Sequence, residues 1–292
     1  MNKKFIGFSA AVTAAVTFGL NPLFGLKLYA ENLTVPTVLF YRFFLAALMV
    51  GILMLIQKKS FVLPKTHILM NFFLAACLAG TSLGLFFSFQ KMDAGIASTI
   101  LFTYPVIVVV IMSVFFREKL NFYIVLGILL SLAGVIVLCK TSGGAVVSIA
   151  GLSLALLSAA AYAVYIVIVK QTRLHELQAE TITFYALLFS LPFFMLTPGY
   201  SVMLPCKMNV MINLALLAFL PGFISLYLTA VGLKYIGATQ TAILGALEPL
   251  TAVCIGIFIF KEAFTIQLAI GIILIITAVT IVICTDKSNA KC

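Results

Sequence analysis

Residues 248–264 read "EPLTAVCIGIFIFKEAF", and residues 104–120 read "YPVIVVVIMSVFFREKL". Pro249 stands against Pro105, Phe260 against Phe116 and Glu262 against Glu118, each pair 144 positions apart. The same offset, without gaps, aligns Gly7 with Gly151, Ala11 with Ala155, Phe40 with Phe184, Tyr41 with Tyr185 and Gly127 with Gly271. One coincidence is ordinary, but a constant register over more than a hundred residues means that the chain contains the same unit twice.

Composition says what kind of unit it is. Of 292 residues, 64% are hydrophobic and only 9% charged, where an ordinary soluble domain carries about 25% charged residues. Apolar runs of about 20 residues follow one another, each long enough to cross a hydrocarbon core of about 30 Å as a helix. The alternation of a transmembrane β-barrel is absent. The expected fold class is an all-α integral membrane protein with ten transmembrane helices, over 5–29, 35–56, 68–90, 94–116, 121–139, 149–170, 180–198, 209–233, 238–260 and 264–284. The N-terminal stretch imitates a signal peptide. Its apolar run continues past Gly19 to about Tyr29, and the repeat requires it, so it is read as the first span.

Ten spans place both termini on one side. With that side cytoplasmic, the inner set of basic residues is Lys3, Lys4, Lys58, Lys59, Lys65, Arg117, Lys119, Lys170, Arg173, Lys234, Lys287 and Lys291. The outer set is Lys27, Lys91, Lys140, Lys207 and Lys261. Twelve against five agrees with the positive-inside rule and places both termini in the cytoplasm. The net charge of +10 therefore reflects orientation in a lipid bilayer, not a nucleic-acid surface. The six Cys are scattered without metal or redox spacing. No cofactor or metal is expected, and no phosphate-binding G-x-x-x-x-G-K-[ST] run occurs.

Five spans per unit is an odd number, so the second unit enters the membrane from the opposite side. The expected domains are residues 1–140 and an inverted copy at 149–284, enclosing a central cavity, with a short tail at 285–292. Inverted repeats of this kind recur in secondary transporters, where two similar halves rock about a shared site.

These features together resemble the EamA-type branch of the drug/metabolite transporter superfamily: ten spans in two five-helix repeats, P-x12-E at the ends of spans 4 and 9, "YRFFLAAL" (41–48) in span 2 and "LEPLTAVCIGIFIFKE" (247–262) in span 9. The resemblance covers nearly the whole chain. It implies a basket-like bundle with spans 5 and 10 peripheral, in a bacterial plasma membrane. It also implies alternating-access transport of small organic metabolites, with export of amino acids or related compounds as the leading expectation. The second repeat departs from the pattern at Ala186, which stands where the first has Arg42. The readings from other classes are an intramembrane lipid-modifying enzyme and a non-transporting membrane sensor. An enzyme would need at least two converging catalytic groups, and no catalytic residue is assigned.

The candidate site residues follow from the cost of polarity in lipid. Glu248 falls about ten residues into span 9, near the midplane, where a carboxylate costs several kcal/mol unless it meets a cavity or a partner. It is a ligand for a cationic group, a proton carrier, or a structural anchor to Arg42 or to backbone groups near Pro249. Its repeat mate is Tyr104. Arg42 is a carboxylate fork, a structural partner or a snorkelling residue. Pro105 and Pro249 interrupt spans 4 and 9, as gating hinges or packing kinks. Asn21, before Pro22, is a substrate contact or the partner of a freed carbonyl. Ser88, Gln90, Tyr162, Tyr165, Tyr185 and Tyr227 are further candidates to line the cavity. Glu118 and Glu262 mark the fold and cap span ends. "GTSLG" (80–84) is a close-packing face within the chain, with a homodimer as the alternative.

Overall fold

The computed structural model describes residues 3–92, 94–117, 121–139, 148–172, 174, 177–202, 207–258 and 266–289. Glu118, Glu262, Lys140 and His175 lie outside them. Among the described residues the chain is helical throughout and contains no strand.

The helices are α1 (Lys3–Phe18), α2 (Asn21–Ala30), α3 (Val35–Ile56), α4 (Lys65–Ser88), α5 (Ala94–Leu101), α6 (Tyr104–Phe116) and α7 (Phe122–Cys139). They continue with α8 (Ile149–Gln171), α9 (Ala179–Leu196), α10 (Met208–Leu217), a π-helical turn (Ala218–Ile224), α11 (Ser225–Ile236), α12 (Ala238–Leu244), α13 (Leu247–Phe258) and α14 (Ile266–Asn289). Six rods are long and apolar enough to cross a membrane: α1 with α2, α3, α4, α8, α9, and α10 through α11. The apolar helices α6 and α7 and the middle of α14 are further membrane candidates. This is the architecture of an integral membrane protein. Helix α14 continues through Asp286 and Lys287 to Asn289. The tail expected from residue 285 therefore begins helical, since no Gly or Pro interrupts it.

Prolines explain the interruptions. A proline in the first turn of a helix loses nothing, because that N–H has no intrahelical partner. Pro22 and Pro105 occupy the first turns of α2 and α6, and Pro249 that of α13. Expected spans 1, 4 and 9 are thereby each split into two shorter helices, with breaks at Gly19–Leu20, Phe102–Thr103 and Gly245–Ala246. Pro221 acts differently. It sits inside a helix, and the turn around it widens to π geometry, so that the Ser225 N–H bonds to the Leu220 carbonyl five residues back. The hydropathy of this stretch carried no sign of that widening.

Helix boundaries repeat at close to the 144-residue offset: α5 and α12 begin at 94 and 238, and α7 and α14 at 122 and 266. The packing has the same regularity. Helix α1 lies against α11 and α4 against α8, while α3 packs on α9 and α7 on α14. The main apolar core cluster draws on both halves of the chain, and a small second cluster joins Val109, Ile128 and Ile243. Thr34 and Thr37 donate to the carbonyls of Gly199 (2.8 Å) and Ser201 (3.1 Å). Lys207 pairs with Glu31 at 2.6 Å on the same end of the bundle.

Candidate functional site

The breaks of spans 1, 4 and 9 meet in the interior. Gly19, at the first break, lies so close to α13 that an added Cβ would come 2.5 Å from the Glu248 carbonyl oxygen and 2.7 Å from Thr251 Cβ. Only glycine permits that approach. Across from it the Tyr104 hydroxyl, at the start of α6, donates to Glu248 Oε1 at 3.4 Å. Both side chains are buried, Tyr104 1% and Glu248 9% exposed. The Tyr104 hydroxyl also occupies the notch left by Gly245, where an added Cβ would fall 1.6 Å from its oxygen. Tyr104 and Glu248 are thus 144 residues apart and in contact. So are Phe18 and Tyr162, whose rings stack at 5.9 Å and 12°. The aromatic file continues from Tyr104 to Tyr162 (4.7 Å, 75°) and from Tyr162 to Tyr165 (5.8 Å, 9°).

Glu248 also lines a small cavity of about 20 Å³, together with Phe18, Asn21, Leu85, Phe89 and Ser98 among others. Asn21 is 1% exposed, and neither its Oδ1 nor its Nδ2 has a hydrogen-bond partner. Leaving a buried polar group unpaired costs about 1–3 kcal/mol. Asn71 on α4 is likewise unpaired at both ends, but only Asn21 shares a cavity wall with a buried carboxylate. The N-termini of α2 and α13 also converge here and add partial positive charge. A larger recess of about 460 Å³ is bounded by Met112, Phe116, Lys170, Gln171, Gly237 and Gln240 among others. It lies at the bundle end opposite to the Thr34–Gly199 and Lys207–Glu31 ties.

Arg42 is not part of this cluster. It is 2% exposed, its Nη2 donates to the Pro221 carbonyl at 3.0 Å, and its Nε is unpaired. Its guanidinium lies 5.5 Å from the Phe86 ring centroid and 5.6 Å from that of Phe43. Phe86 in turn packs on Phe89, a wall of the cavity, at 5.5 Å. No ion pair joins Arg42 and Glu248 among the described residues. The π turn explains the alternative partner. Its shifted bonding hands the Ser225 N–H to Leu220, and Arg42 supplies a donor to the neighbouring carbonyl.

The structure thus brings Glu248, Tyr104 and Asn21 together, with Tyr162 and Tyr165 stacked behind. Ser88 donates to the Leu85 carbonyl of its own helix at 2.6 Å. Gln90 is exposed beyond the end of α4. Tyr185 donates to the Phe61 carbonyl, and Tyr227 to Glu180 Oε1 at 3.2 Å. These four do not line the cavity. Pro105 and Pro249 stand one residue beyond Tyr104 and Glu248, at the breaks. Sequence reasoning missed Gly245, Gly19, Phe18 and Ser98, which matter only through close approach. It also missed Glu180, whose carboxylate is buried at the start of α9 and looked like part of a charged loop. Among the described residues no group of His, Cys, Asp or Glu could hold a metal ion.

Comparison with known proteins agrees with this architecture. The model of the EamA-like transporter family matches twice, over residues 5–139 and 149–284. A curated relative from Escherichia coli (strain K12), described as "Uncharacterized inner membrane transporter YhbE", is 28% identical over 144 residues, which cover 47% of this chain and 44% of that protein. The Shigella flexneri protein of the same description matches to the same extent. The match thus spans less than half the length of these relatives. A solved crystal structure superposes with a TM-score of 0.77 over 96% of this chain and 95% of the other, at 21% identity, a likeness of fold.

Proposed function

The chain belongs to the EamA-like transporter family, and we propose that it is an inner-membrane secondary transporter working by alternating access. In this reading ten spans form two inverted five-helix repeats, residues 1–140 and 149–284, with both termini cytoplasmic. The cargo is a small organic metabolite, and export of amino acids or related compounds is the leading use. The observation that carries the reading is the contact of Tyr104 with Glu248 across the breaks of α5/α6 and α12/α13. Two positions 144 residues apart can touch in this way if they flank a pseudo-two-fold axis, and Phe18 with Tyr162 supports the same axis. Inversion of the repeats is further supported by the reciprocal packing of α1 on α11 and α4 on α8.

Mechanistically, the Tyr104 ring in the Gly245 notch acts as a gate. It divides the Asn21–Glu248 cavity from the recess at the Lys170 end. Half-helices α6 and α13, with Pro105 and Pro249 in their first turns, can tilt at little cost in ladder hydrogen bonds, because the proline nitrogens donate none. Separation of α6 from α13 would open the cavity toward the recess. Loosening of the Thr34–Gly199 and Lys207–Glu31 ties would open the opposite end. Cargo polar enough to pair with Asn21 and Glu248 would be carried between the two.

The test is solute counterflow in proteoliposomes loaded with a mixed amino-acid pool. Wild-type protein is expected to exchange labelled solute, and Glu248→Gln to lose most of that flux while keeping its yield and elution profile. Equal flux in both would remove Glu248 from the transport path.

A further inference from the structure

We propose that the Asn21–Glu248 cavity is a receptor for a primary ammonium group, so that the cargo is a primary amine held by its nitrogen. The inference rests on the transport reading for the word cargo, but the binding site stands on its own geometry.

Three observations point to that head group. The first is charge. Glu248 is the sole carboxylate lining the cavity, and Arg42 is turned away to the Pro221 carbonyl behind the Phe86 ring. A buried carboxylate with no cation beside it is compensated best by a cation that arrives with the ligand. The second is hydrogen bonding. Asn21 Oδ1 is an acceptor without a donor, while its unpaired Nδ2 is a donor that an ammonium group leaves to the rest of the cargo, and Ser98 adds a hydroxyl to the same wall. With Glu248 these offer three acceptors, which matches the three N–H bonds of an R–NH3⁺ group. The Tyr104 hydroxyl bonds to Oε1 alone, which leaves Oε2 for the ligand.

The third is size. The cavity of about 20 Å³ accommodates about one water-sized group. An –NH3⁺ head meets that limit, whereas a trimethylammonium head is several times larger and carries no N–H to donate. The remainder of the molecule exceeds those 20 Å³ and needs the separation of α6 from α13 proposed above; Phe18, Leu85, Phe89 and Leu101 supply apolar wall beside the head group. An anion is disfavoured by Glu248. A neutral alcohol would fill the space but leave the carboxylate with only the partial positive charge of the α2 and α13 N-termini.

The experiment uses the full chain in detergent and measures melting temperature and equilibrium binding with four probes: n-butylammonium, tetramethylammonium, butan-1-ol and butyrate. Butylammonium is expected to raise the melting temperature in a saturable manner, and the other three to leave it unchanged. Asn21→Leu and Glu248→Gln are each expected to weaken butylammonium binding at least tenfold, and Ser98→Ala less. Equal stabilisation by tetramethylammonium or butyrate would overturn the assignment, as would full butylammonium affinity in Asn21→Leu. If neither variant folds, the selectivity of the wild-type protein among the four probes decides alone. Counterflow separates the two claims. Flux indifferent to competing amines would sink the ammonium site and leave transport standing. Selective amine binding without any flux would do the reverse.

Discussion

Gly245→Ala is the most informative perturbation of the proposed gate. The new methyl carbon would lie 1.6 Å from the Tyr104 hydroxyl oxygen, 2.9 Å from its Cζ and 2.9 Å from the Ala242 carbonyl oxygen. No rotamer adjustment of a few tenths of an ångström relieves the first contact, so the ring must leave the notch. Tyr104 is 1% exposed and packed on Phe102 at 5.9 Å and Tyr162 at 4.7 Å, so its displacement disturbs those contacts. Overpacking of this kind costs about 1–3 kcal/mol. The hydrogen bond to Glu248 is long at 3.4 Å, and its loss adds little beyond about 0.5 kcal/mol. Using the ratio for larger soluble domains, about 2–4 °C per kcal/mol, the melting temperature should fall by at least about 2 °C. Tyr104→Phe removes the worst overlap but keeps the Cζ contact, so Gly245→Ala/Tyr104→Phe should recover part of the loss. That recovery is a coupling between the two positions. Melting of the four proteins in one detergent, with counterflow on each, measures it. If Gly245→Ala melts and transports like wild type, the Tyr104 ring does not rest in that notch and the gate is wrong.

Arg42 and Glu248 share no ion pair among the described residues, so the destabilisations caused by Arg42→Met and Glu248→Gln should add to within about 0.5 kcal/mol in the double variant; rescue of one by the other would restore the pairing that the geometry excludes. Tyr227→Phe leaves the buried Glu180 carboxylate without the hydroxyl that donates to it at 3.2 Å and should cost about 1–3 kcal/mol, whereas Glu180→Ala should cost less, because it removes the buried charge itself and leaves only the half-buried Tyr227 hydroxyl, which water can reach; comparison of their melting curves decides. Lys58→Cys and Lys91→Cys sit beyond opposite ends of α4, so a membrane-impermeant maleimide applied to intact cells should label Lys91→Cys and spare Lys58→Cys. Labelling of both, or of Lys58→Cys alone, would reverse the orientation argued from basic residues.

The helical skeleton was legible in the order of the residues because lipid imposes a one-dimensional rule. Each crossing needs about 20 apolar residues, and proline marks where a helix can restart. The expected segments 35–56 and 121–139 differ from α3 and α7 by at most one residue. The breaks read from Asn21-Pro22, Pro105 and Pro249 fall within a few residues of those prolines. Family membership was legible for the same reason, since the repeat offset and the P-x12-E spacing are linear patterns. The interior was legible only in part. Glu248 and Arg42 stood out as charges at costly depth, with Asn21, Tyr104, Ser88, Gln90, Tyr162, Tyr165, Tyr185 and Tyr227 as further candidates, and nothing in their order along the chain told which of them meet.

The linear order of residues by itself determined that this chain is a twice-repeated, proline-broken set of apolar helices with one carboxylate deep in span 9, because hydropathy, helix restarts and internal offset are properties of neighbours along the chain. Tertiary structure alone decided which polar groups meet. Arg42 goes to Pro221 because a widened turn presents a carbonyl there, and Tyr104 reaches Glu248 because Gly245 leaves it room. Asn21 is left beside them with two unpaired atoms. Such choices are made by distances of a few ångströms between segments up to 179 residues apart, which no periodicity along the chain records.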